Sequence, residues 1–391
     1  MKLAVPKEVF PGETRVAAVP VTVRAYVQAG FEVAVESGAG VAADVADSAY
    51  QAAGATLEPD AERLLAEADV ILKVQPPQQR EGGADEADLL KSGSVLVSML
   101  LTRGDGRLIE KLASRGVSAF ALEAVPRIAR AQSMDVLSSQ ATIAGYKAVL
   151  LAADAMPRMI PMMMTAAGTI QPAHALIIGA GVAGLEAIGM ARKLGAVVQA
   201  VDTRPAVKEQ VESLGARFVP LEVEHEKAQG AGGYAQDLGE SFYRGEQEII
   251  APHLKDVDFV ITSAAIPRLS APRLITEAMV AQMRRGAVII DLAAATGGNC
   301  TLTVADQWVD RDGVKIYGPT NLPAAVPVHA SLMLARNIAA FFGELAREGV
   351  VKIDTNNEII RAMLITHAGA VVRGESADRP AAAATKQENR P

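Results

Sequence analysis

The sequence has very few of the residues on which many kinds of site depend. It contains one cysteine, Cys300, so it can form neither an intrachain disulfide nor a cysteine-built zinc site, and a reducing compartment is expected. We expect Cys300 to be a small residue in the loop GGNC rather than a reactive thiol. Aromatic residues make up only 4% of the chain and hydrophobic residues 50%, a balance typical of α/β enzymes.

A basic surface and a long uninterrupted apolar run are also missing. With 38 Lys and Arg against 45 Asp and Glu, the formal net charge is −7, which predicts no nucleic-acid partner. The first residues, MKLAVPKEV, do not predict a signal peptide. The most apolar region, AVLLAADAMPRMIPMMMTAAG, is interrupted by charged residues and prolines before it reaches the ~20 apolar residues of a span. We therefore expect a soluble, cytoplasmic chain.

Short β-branched runs alternate with helix-length amphipathic runs along most of the 391 residues. This alternation predicts an α/β fold with two doubly wound parallel-sheet, Rossmann-like domains and a cleft between them. The strands are expected at KLAVP, FEVAVE, DVILKV, SVLVSML and VSAFALE in the first unit, and at ALIIG, VVQAVD, ARFVPL, DFVITSAA, AVIIDLA and VKIYG in the second. We predict a discontinuous N-terminal domain of residues 1–136 plus 328–375, closed by a C-terminal helix. Residues 137–327 form the second domain and 376–391 a flexible tail.

Two features lie between the predicted sheets. A long helix is expected from Ser139 to Ala155, followed by a passage rich in proline and methionine that ends at Gly168. Because methionine commonly fills irregular gaps, we expect Met162, Met163 and Met164 to pack in a junction between the domains.

A glycine fingerprint supplies the cofactor prediction. Gly179, Gly181 and Gly184 follow the strand ALII and open a helix, which leads to a second strand ending at Asp202. The first glycine allows a tight turn, the second lets the backbone approach a pyrophosphate, and the third lets the helix sit close to the sheet. We assign to cofactor binding the turn and the end of the second strand: Gly179, Ala180, Gly181, Val182, Ala183, Gly184, Asp202, Thr203 and Arg204.

Asp202 would accept hydrogen bonds from the adenosine ribose and repel a 2′-phosphate, which favours NAD(H) over NADP(H). Arg204 could instead hold a 2′-phosphate, but we expect it to be solvated or to lie over the adenine. An ordinary glycine-rich turn with a strand-end aspartate is the alternative interpretation of the whole pattern.

A hydride removed from a carbon that bears an O–H or N–H requires a base, commonly His or Lys. The five histidines are His174, His225, His253, His329 and His367, and none is expected in the first unit, where the second substrate should bind. Lys73 is the best lysine candidate there. It could equally be a strand residue that extends its amine to solvent.

Several stretches together resemble the NAD(H)-binding component of proton-translocating nicotinamide nucleotide transhydrogenases. They are VPKEVFPGETRVAAVP, ILKVQPP, PRIARAQSMDVLSSQ, PMMMTAAGTI, GAGVAG, VDTRPAVKEQVESLG and IDLAAATGGNC, and the resemblance runs from about residue 1 to 375. Alanine dehydrogenases share the opening and the fingerprint. They carry a substrate-contacting lysine where this chain has Gln75, and a catalytic histidine where it has Leu101.

The resemblance also implies roles for the polar block, residues 126–140. In transhydrogenases the matching loop surrounds the nicotinamide, which assigns Arg127, Gln132, Asp135 and Ser138 as catalytic residues, with Gln132 orienting the ring and Arg127 pairing with Asp135. The cofactor-binding residues of the block are then Arg127, Ile128, Ala129, Gln132, Ser133, Met134, Asp135 and Ser138. The alternative is that Asp135 or Ser138 caps the following helix and the arginines are solvated.

Two further segments are implied by the resemblance. The glycine-rich loop AQGAGGYAQDLG matches a loop that closes on the cofactor, so Gly233 and Tyr234 are expected to contact it; a flexible surface turn is the alternative. Ala264 and Ala265 in ITSAAIP are expected to line the cofactor site through their backbone. The family more often has Leu at position 265 and Gly at 268.

The resemblance implies that the chain presents NADH for direct hydride transfer to NADP⁺ held by a second soluble subunit. A membrane-spanning proton-channel subunit would couple this transfer to proton translocation. The chain would be a homodimer, located peripherally at the inner membrane through these partner subunits. No metal is implied. An alanine dehydrogenase-like oxidoreductase and a non-catalytic NAD(H)-binding regulatory module remain the alternatives.

Overall fold

The computed structural model describes residues 1–101, 106–221, 239–266 and 269–372 and divides into two compact units. Among the described residues, unit 1 comprises those of Met1–Pro11 and Arg15–Val136 and those from Ala335 to residue 372; unit 2 comprises those of Gly12–Thr14 and Leu137–Leu334. Gly233, Tyr234 and the predicted tail at 376–391 lie outside the described residues.

The strands are β1 Lys2–Val5, β2 Glu32–Glu36, β3 Thr56–Glu58, β4 Val70–Leu72, β5 Val95–Ser98, β6 Ser118–Ala121, β7 Met163–Thr165, β8 Gly168–Ile170, β9 His174–Ile178, β10 Val197–Val201, β11 Arg217–Val219, β12 Phe259–Thr262, β13 Val288–Asp291, β14 Trp308–Arg311, β15 Val314–Tyr317, β16 Ala346–Arg347, β17 Val350–Val351, β18 Leu364–His367 and β19 Ala370–Val371. The helices are α1 Pro20–Gln28, α2 Asp47–Ala52, α3 Ala61–Glu67, α4 Glu86–Leu89, α5 Gly106–Ser114, α6 Val136–Ala155, α7 Val182–Lys193, α8 Lys208–Ser213, α9 Glu240–Leu254, α10 Glu277–Val280, α11 Pro327–Leu345 and α12 Glu358–Met363.

The sheet of unit 1 has eight strands in the order β19-β18-β6-β5-β4-β1-β2-β3. Neighbours from β6 to β3 pair in parallel, so their carboxyl ends share one edge. The five strands predicted for this unit are all present, and their near-continuous apolar runs are buried because helices cover a parallel sheet. One core cluster packs around Ala4, Ile71, Leu96 and Ala119.

The C-terminal segment completes this sheet. β18 pairs antiparallel with β6, and β19 pairs with β18. His367 therefore lies in unit 1. The expectation that no histidine does so holds for residues 1–136 but is wrong for the unit as a whole, because the returning segment, which was predicted to join this domain, carries His367. The Nδ1 atom of His367 lies 2.9 Å from Oγ of Ser118, the first residue of β6. This contact is at the amino edge of the parallel strands, opposite the edge at which open α/β sheets bind ligands.

The sheet of unit 2 has seven strands in the order β11-β10-β9-β12-β13-β15-β14. All neighbours pair in parallel except β14, which pairs antiparallel with β15 at the edge. If β14 is left out and the strands are renumbered with β9 as strand 1, this is the 3-2-1-4-5-6 strand order of dinucleotide-binding folds. The prediction of two Rossmann-like α/β units is thus confirmed.

Strands β7 and β8 form a separate two-stranded ribbon, the methionine hairpin. The expected packing of the three methionines is wrong: Met162, Met163 and Met164 are 57%, 37% and 76% exposed, and Ile170 is 42% exposed. A ribbon this short has no second apolar layer of its own to cover it, so its side chains face outward on both sides.

Helix α6 begins at Val136, three residues before the predicted start, so Ser138 lies in its first turn. Within the described ranges, it is the one helix long and apolar enough to cross a membrane by length and composition. Buried core helices pass the same test, and Ala148, Val149 and Ala152 of α6 pack in a cluster with Ile177, Ala187 and other residues of unit 2.

Candidate functional site

The glycine turn, residues 179–184, joins β9 to α7 at the carboxyl edge of the unit 2 sheet. Gly179 has a φ of +93° and donates its N–H to the carbonyl oxygen of Val201 at 2.8 Å. Gly181 is the N-cap of α7, so the positive end of that helix lies at the turn. The local sequence therefore builds the strand–turn–helix that receives a pyrophosphate in dinucleotide-binding folds.

Packing requires the third glycine. A Cβ atom at Gly184 would lie 1.8 Å from the carbonyl oxygen of Gly179, so a larger residue would separate α7 from the turn. Gly145 in α6 allows a similar approach from the other side, since a Cβ there would lie 2.2 Å from the carbonyl oxygen of Ala183. Gly145 was not identified from the sequence, because a single glycine within a helical pattern is a weak signal of close packing.

Protein packing does not explain the glycine at position 181, the second of the fingerprint. A Cβ atom at Gly181 would meet nothing within 4 Å in the part of the chain that the structure describes. Protein packing there does not require a glycine, whereas the approach of phosphate groups to the helix N-terminus does, because a Cβ would occupy the same space. The turn therefore fits a dinucleotide.

The packing contrast within α7 gives a test of this turn. Gly184→Ala should weaken the binding of NADH, the cofactor that the fingerprint predicts, by about tenfold or more, since relieving such an overlap costs about 1–3 kcal/mol. Gly189→Ala in the same helix is the matched control. Its Cβ would lie no closer than 4.0 Å to Leu214, so it should bind NADH normally. Calorimetric titration measures both, and equal affinities for the two variants would contradict the packing argument.

Asp202, just beyond β10, is buried and anchored to the turn. Its Oδ2 accepts a hydrogen bond from the N–H of Ala180 at 2.7 Å, and its Oδ1 accepts one from the N–H of Arg204 at 2.8 Å. The guanidinium of Arg204 donates Nε to Oδ1 at 2.9 Å and Nη2 to Oδ2 at 2.8 Å. The expectation that Arg204 is solvated is wrong, because its guanidinium pairs with the carboxylate two residues earlier; the alternative, that it lies over the adenine, stays a prediction. These hydrogen bonds raise the pKa of Arg204.

A second carboxyl group lies near Asp202. Glu246 of α9 is 4% exposed, and burial, followed by the negative charge of Asp202, raises its pKa to about 8. It is therefore mostly protonated at neutral pH and adds little negative charge beside the strand end. Glu246 was not identified from the sequence. Its spacing of four residues from the buried Ile250 was the available signal that it faces the sheet.

The segment after β12, residues 263–266, lies against the glycine turn. The hydroxyl of Ser263 donates to the carbonyl oxygen of Gly179 at 3.0 Å. The side chain of Asn299 bonds both backbone groups of Ala264: Oδ1 accepts from its N–H at 3.1 Å, and Nδ2 donates to its carbonyl oxygen at 2.8 Å. Ala264 is half-buried and Ala265 is exposed. Asn299 was also missed, although it stands in the GGNC stretch that the resemblance includes.

The polar block follows β6 in unit 1, after a short turn at Leu122–Ala124. Residues Ala129–Met134 form a 3-10 helix that buries Ala131 and Met134, which are three residues apart, and leaves Gln132 and Ser133 exposed. Arg127 is exposed, Asp135 is half-buried, and Ser138 falls in unit 2 as a half-buried residue of α6.

Residues of the C-terminal segment hold the block in place within unit 1. Arg130 Nη1 lies 3.1 Å from Glu344 Oε2, and its Nη2 donates to Asn357 Oδ1 at 3.2 Å. Asn337 donates from Nδ2 to the carbonyl oxygen of Ser133 at 2.7 Å. Arg130 is thus an anchor, and the exposed Gln132 is left on the outer face.

Lys73 follows β4 at the carboxyl edge of the unit 1 sheet and is 1% exposed. Its Nζ lies 3.3 Å from Glu8 Oε2 and 3.1 Å from Glu86 Oε2. Burial opposes the charged amine, but the two carboxylates outweigh it, so the pKa of Lys73 is raised. A lysine held protonated in this way cannot accept a proton. Both expectations for Lys73, a base and a strand residue with a solvated amine, are therefore wrong.

Two uncharged side chains stand at the same edge. Gln75 is 1% exposed, and its backbone N–H lies 3.4 Å from Glu8 Oε2. Leu101 is half-buried, and its N–H donates to Glu123 at 3.0 Å. Neither side chain can transfer a proton, so these two positions provide no general base.

Cys300 is fully buried, and burial raises the pKa of its thiol to about 11. The thiol is therefore protonated at neutral pH and is a packing group, as the sequence indicated. In the described ranges, no group of three or more His, Cys, Asp or Glu side chains is arranged to hold a metal ion.

Two family models cover most of the chain: the N-terminal domain of alanine dehydrogenase/PNT matches residues 4–144, and its C-terminal domain matches residues 148–374. The chain is 48% identical to an NAD(P) transhydrogenase subunit alpha polypeptide of Rhodospirillum rubrum, over 95% of this chain and 98% of that protein. It is 30% identical to alanine dehydrogenase of Halomonas elongata, over 94% of each chain. A crystal structure of transhydrogenase from Sinorhizobium meliloti is 40% identical with a TM-score of 0.85, covering 95% of this chain and 100% of that one.

Proposed function

Because the chain belongs to the alanine dehydrogenase/PNT family and is a homologue of transhydrogenase alpha subunits, we propose that it is the NAD(H)-binding component of a proton-translocating transhydrogenase. In this function, NADH bound to the chain supplies a hydride from C4 of its nicotinamide to NADP⁺ on a partner subunit. The resulting activity is that of a Si-specific NAD(P)⁺ transhydrogenase, present only when the partner subunits are.

The side chains at the carboxyl edge of unit 1 carry this proposal. Gln75 and Leu101 replace the lysine and histidine that the alanine dehydrogenase resemblance would require, and Lys73 is held protonated by Glu8 and Glu86. Oxidation of an amino acid needs a group to take the proton from N–H, whereas transfer between two nicotinamide rings removes no such proton. The residues at this edge suit the second reaction.

The chain's own role is to bind and orient the cofactor. We assign the pyrophosphate to the glycine turn and the adenosine ribose to Asp202, with Thr203, Arg204, Ala264 and Ala265 beside them. Gly233 and Tyr234 would close over the cofactor. Gln132 would aim the nicotinamide, Arg127 and Asp135 would hold the block as an ion pair, and Ser138 would bond the ribose or carboxamide. Proximity and orientation of the rings would then supply much of the rate enhancement.

The proposed complex contains a second soluble subunit that binds NADP(H) and a membrane-spanning subunit that carries the proton path. The chain would lie in the cytoplasm, held at the inner membrane by these partners. Residues 1–136 plus 328–375 and residues 137–327 would be its functional domains.

A homodimer through the methionine hairpin belongs to the same proposal. The ribbon exposes Met162, Met163, Met164 and Ile170 together, and a short two-stranded ribbon is only marginally stable when nothing covers it. A second copy of the same ribbon would cover these apolar side chains with matching ones.

Met164→Asp should therefore weaken the dimer by about tenfold or more, since it places a charge in an apolar contact. Val350→Asp, at a 59% exposed position in the β16–β17 ribbon, is the control and should leave the dimer unchanged. Sedimentation velocity over a concentration series measures both. A wild-type chain that stays monomeric, or a Met164→Asp chain that dimerises like wild type, would remove the hairpin from the interface.

The function itself is tested by assaying one preparation in three ways. NADH binding is titrated, L-alanine-dependent reduction of NAD⁺ is followed, and hydride transfer is measured after mixing with the NADP(H)-binding and membrane subunits. We expect the chain to bind NADH, to show no oxidation of L-alanine, and to transfer hydride only in the mixture with the partner subunits. Robust alanine oxidation would identify an alanine dehydrogenase, and binding with no transfer in the mixture would identify a regulatory module.

A further inference from the structure

Asn299 makes an unusual set of contacts for a loop side chain. It is 0% exposed, and its amide bonds Ala264 through both ends, accepting at 3.1 Å and donating at 2.8 Å. The same Nδ2 donates to the carbonyl oxygen of Pro272 at 2.9 Å. Because the backbone partners are an N–H on one side and two carbonyl oxygens on the other, only one orientation of the amide satisfies them.

The position of Asn299 is in turn fixed by Asp291, the last residue of β13, which is 0% exposed. Asp291 Oδ2 accepts from the N–H of Asn299 at 2.7 Å and from that of Cys300 at 3.0 Å. The same carboxylate also accepts from side-chain or backbone donors of Thr262, Ala293 and Thr303 at 2.9, 3.0 and 2.6 Å. Five donors around one buried carboxylate leave it little freedom, so the Asn299 amide is held rigidly.

The contacts that begin at Asp291 and Asn299 extend to the glycine turn. Ser263, next to Ala264, donates to the carbonyl oxygen of Gly179 at 3.0 Å. A Cβ at Gly179 would lie 2.9 Å from the backbone nitrogen of Ala264, so the segment after β12 packs directly on the first glycine. A shift of Ala264 by a few tenths of an ångström would therefore displace the glycine turn.

We propose that Asn299 is a positioning residue for the dinucleotide: held by Asp291, its amide sets the backbone of residues 263–266, and through Ser263 it fixes the glycine turn in the geometry that binds the cofactor. This inference rests on the proposed binding of NAD(H) at the turn. Asn299 does not touch the cofactor in this role. It acts on groups that do.

The decisive variant is Asn299→Asp, which keeps the size of the side chain. When ionised, the new carboxylate has no proton to donate, so it faces the carbonyl oxygens of Ala264 and Pro272 without a hydrogen bond. When protonated, it has one donor and one acceptor, so it can restore the bond from the N–H of Ala264 and one of the two donated bonds. The charged groups near this position are Asp291 and Arg273, whose Nη1 donates to the carbonyl oxygen of Cys300 at 2.8 Å. Burial should raise the pKa of the new carboxyl group above its usual range.

NADH affinity of Asn299→Asp should therefore fall by about tenfold or more in alkaline buffer, the result of leaving buried carbonyl groups unpaired. It should recover towards the wild-type value as the pH is lowered, with wild type titrated at each pH as the reference. Near-ultraviolet circular dichroism at each pH shows that the variant is folded when affinity is measured. Asn356→Asp, at an exposed position, is the matched control and should follow wild type throughout.

Ser263→Ala supplies a second variant in case Asn299→Asp does not fold. It removes only the hydroxyl that bonds Gly179, and a loss of about threefold to tenfold in NADH affinity is expected. If wild type binds NADH and both folded variants bind it equally well, the positioning role is overturned while the proposed function stands. If wild type itself does not bind NADH, the proposed function fails instead.

Discussion

Replacing Gln132 by alanine is expected to abolish most hydride transfer while leaving NADH bound. Gln132 lies on the exposed face of the Ala129–Met134 helix, whereas Ala131 and Met134 carry the packing. Truncating an exposed side chain changes folding or binding by about 0.5 kcal/mol, so NADH affinity should stay within about twofold of wild type. Transfer requires the two rings to meet in one geometry, and a misplaced ring costs roughly a hundredfold in rate.

The measurement is the single-turnover rate in the complex reconstituted with both partner subunits. Gln51→Ala, an exposed glutamine in α2 of the same unit, is the control and should transfer at the wild-type rate. Gln132→Asn keeps the amide group but places it on a shorter side chain. This variant therefore tests whether hydride transfer depends on the position of the amide or only on its presence. A Gln132→Ala complex that transfers at the wild-type rate would remove Gln132 from the site.

Replacing Lys73 by methionine is expected to give a larger loss of stability than any of the substitutions above. It removes the cation between Glu8 and Glu86, and breaking a buried ion pair by removing one side destabilises by about 3–5 kcal/mol. Arg80 cannot replace it, because its Nε already pairs with Glu86 at 3.0 Å and its Nη2 with Glu36 at 2.8 Å.

Hydrogen exchange of the unit 1 strands measures this loss locally, which avoids treating two units as one unfolding transition. Lys352→Met, an exposed lysine in the same unit, should leave exchange unchanged. The double variant Lys73→Met with Glu8→Gln should regain some of the lost stability, because it neutralises one of the two carboxylates that the lysine amine contacted. Exchange rates in Lys73→Met equal to those of wild type would show that the buried cluster contributes no net stability.

The elements of the fold that could be predicted are those whose signals are local. Most of the parallel strands are short apolar runs with turn residues on either side, and the glycine fingerprint lies within one strand–turn–helix. The parallel edge strand β3, with one apolar residue in three, was missed. The antiparallel strands β14 and β18 were not predicted. β18 pairs with β6, and the two strands are separated in the sequence by more residues than unit 2 contains. No local pattern indicates a partner so far away in the sequence.

The same distinction holds for the candidate site. Gly184 and Asp202 follow from spacing alone. The close approach of α7 at Gly184 agrees with the packing role assigned to that glycine, whereas the role of Asp202 towards the ribose stays a prediction. The state of Lys73 could not be predicted, since Glu8 and Glu86 are remote in the sequence and only the fold brings them together. Asn299 was missed for a related reason: its partner Ala264 follows another strand, so no local pattern shows that the amide is hydrogen-bonded.

The pairing of β18 with β6 also has a consequence for the order of events on the ribosome. All of unit 2 from Leu137 onward is synthesised after β6 and before β18, and chains grow at about 5–20 residues per second. Unit 2 can therefore complete its sheet while β6 is still an uncovered edge, which is a surface prone to pairing with other nascent chains. The first unit to begin synthesis is the last to finish folding, so a chaperone that shields β6 during this interval would raise the yield of the native protein.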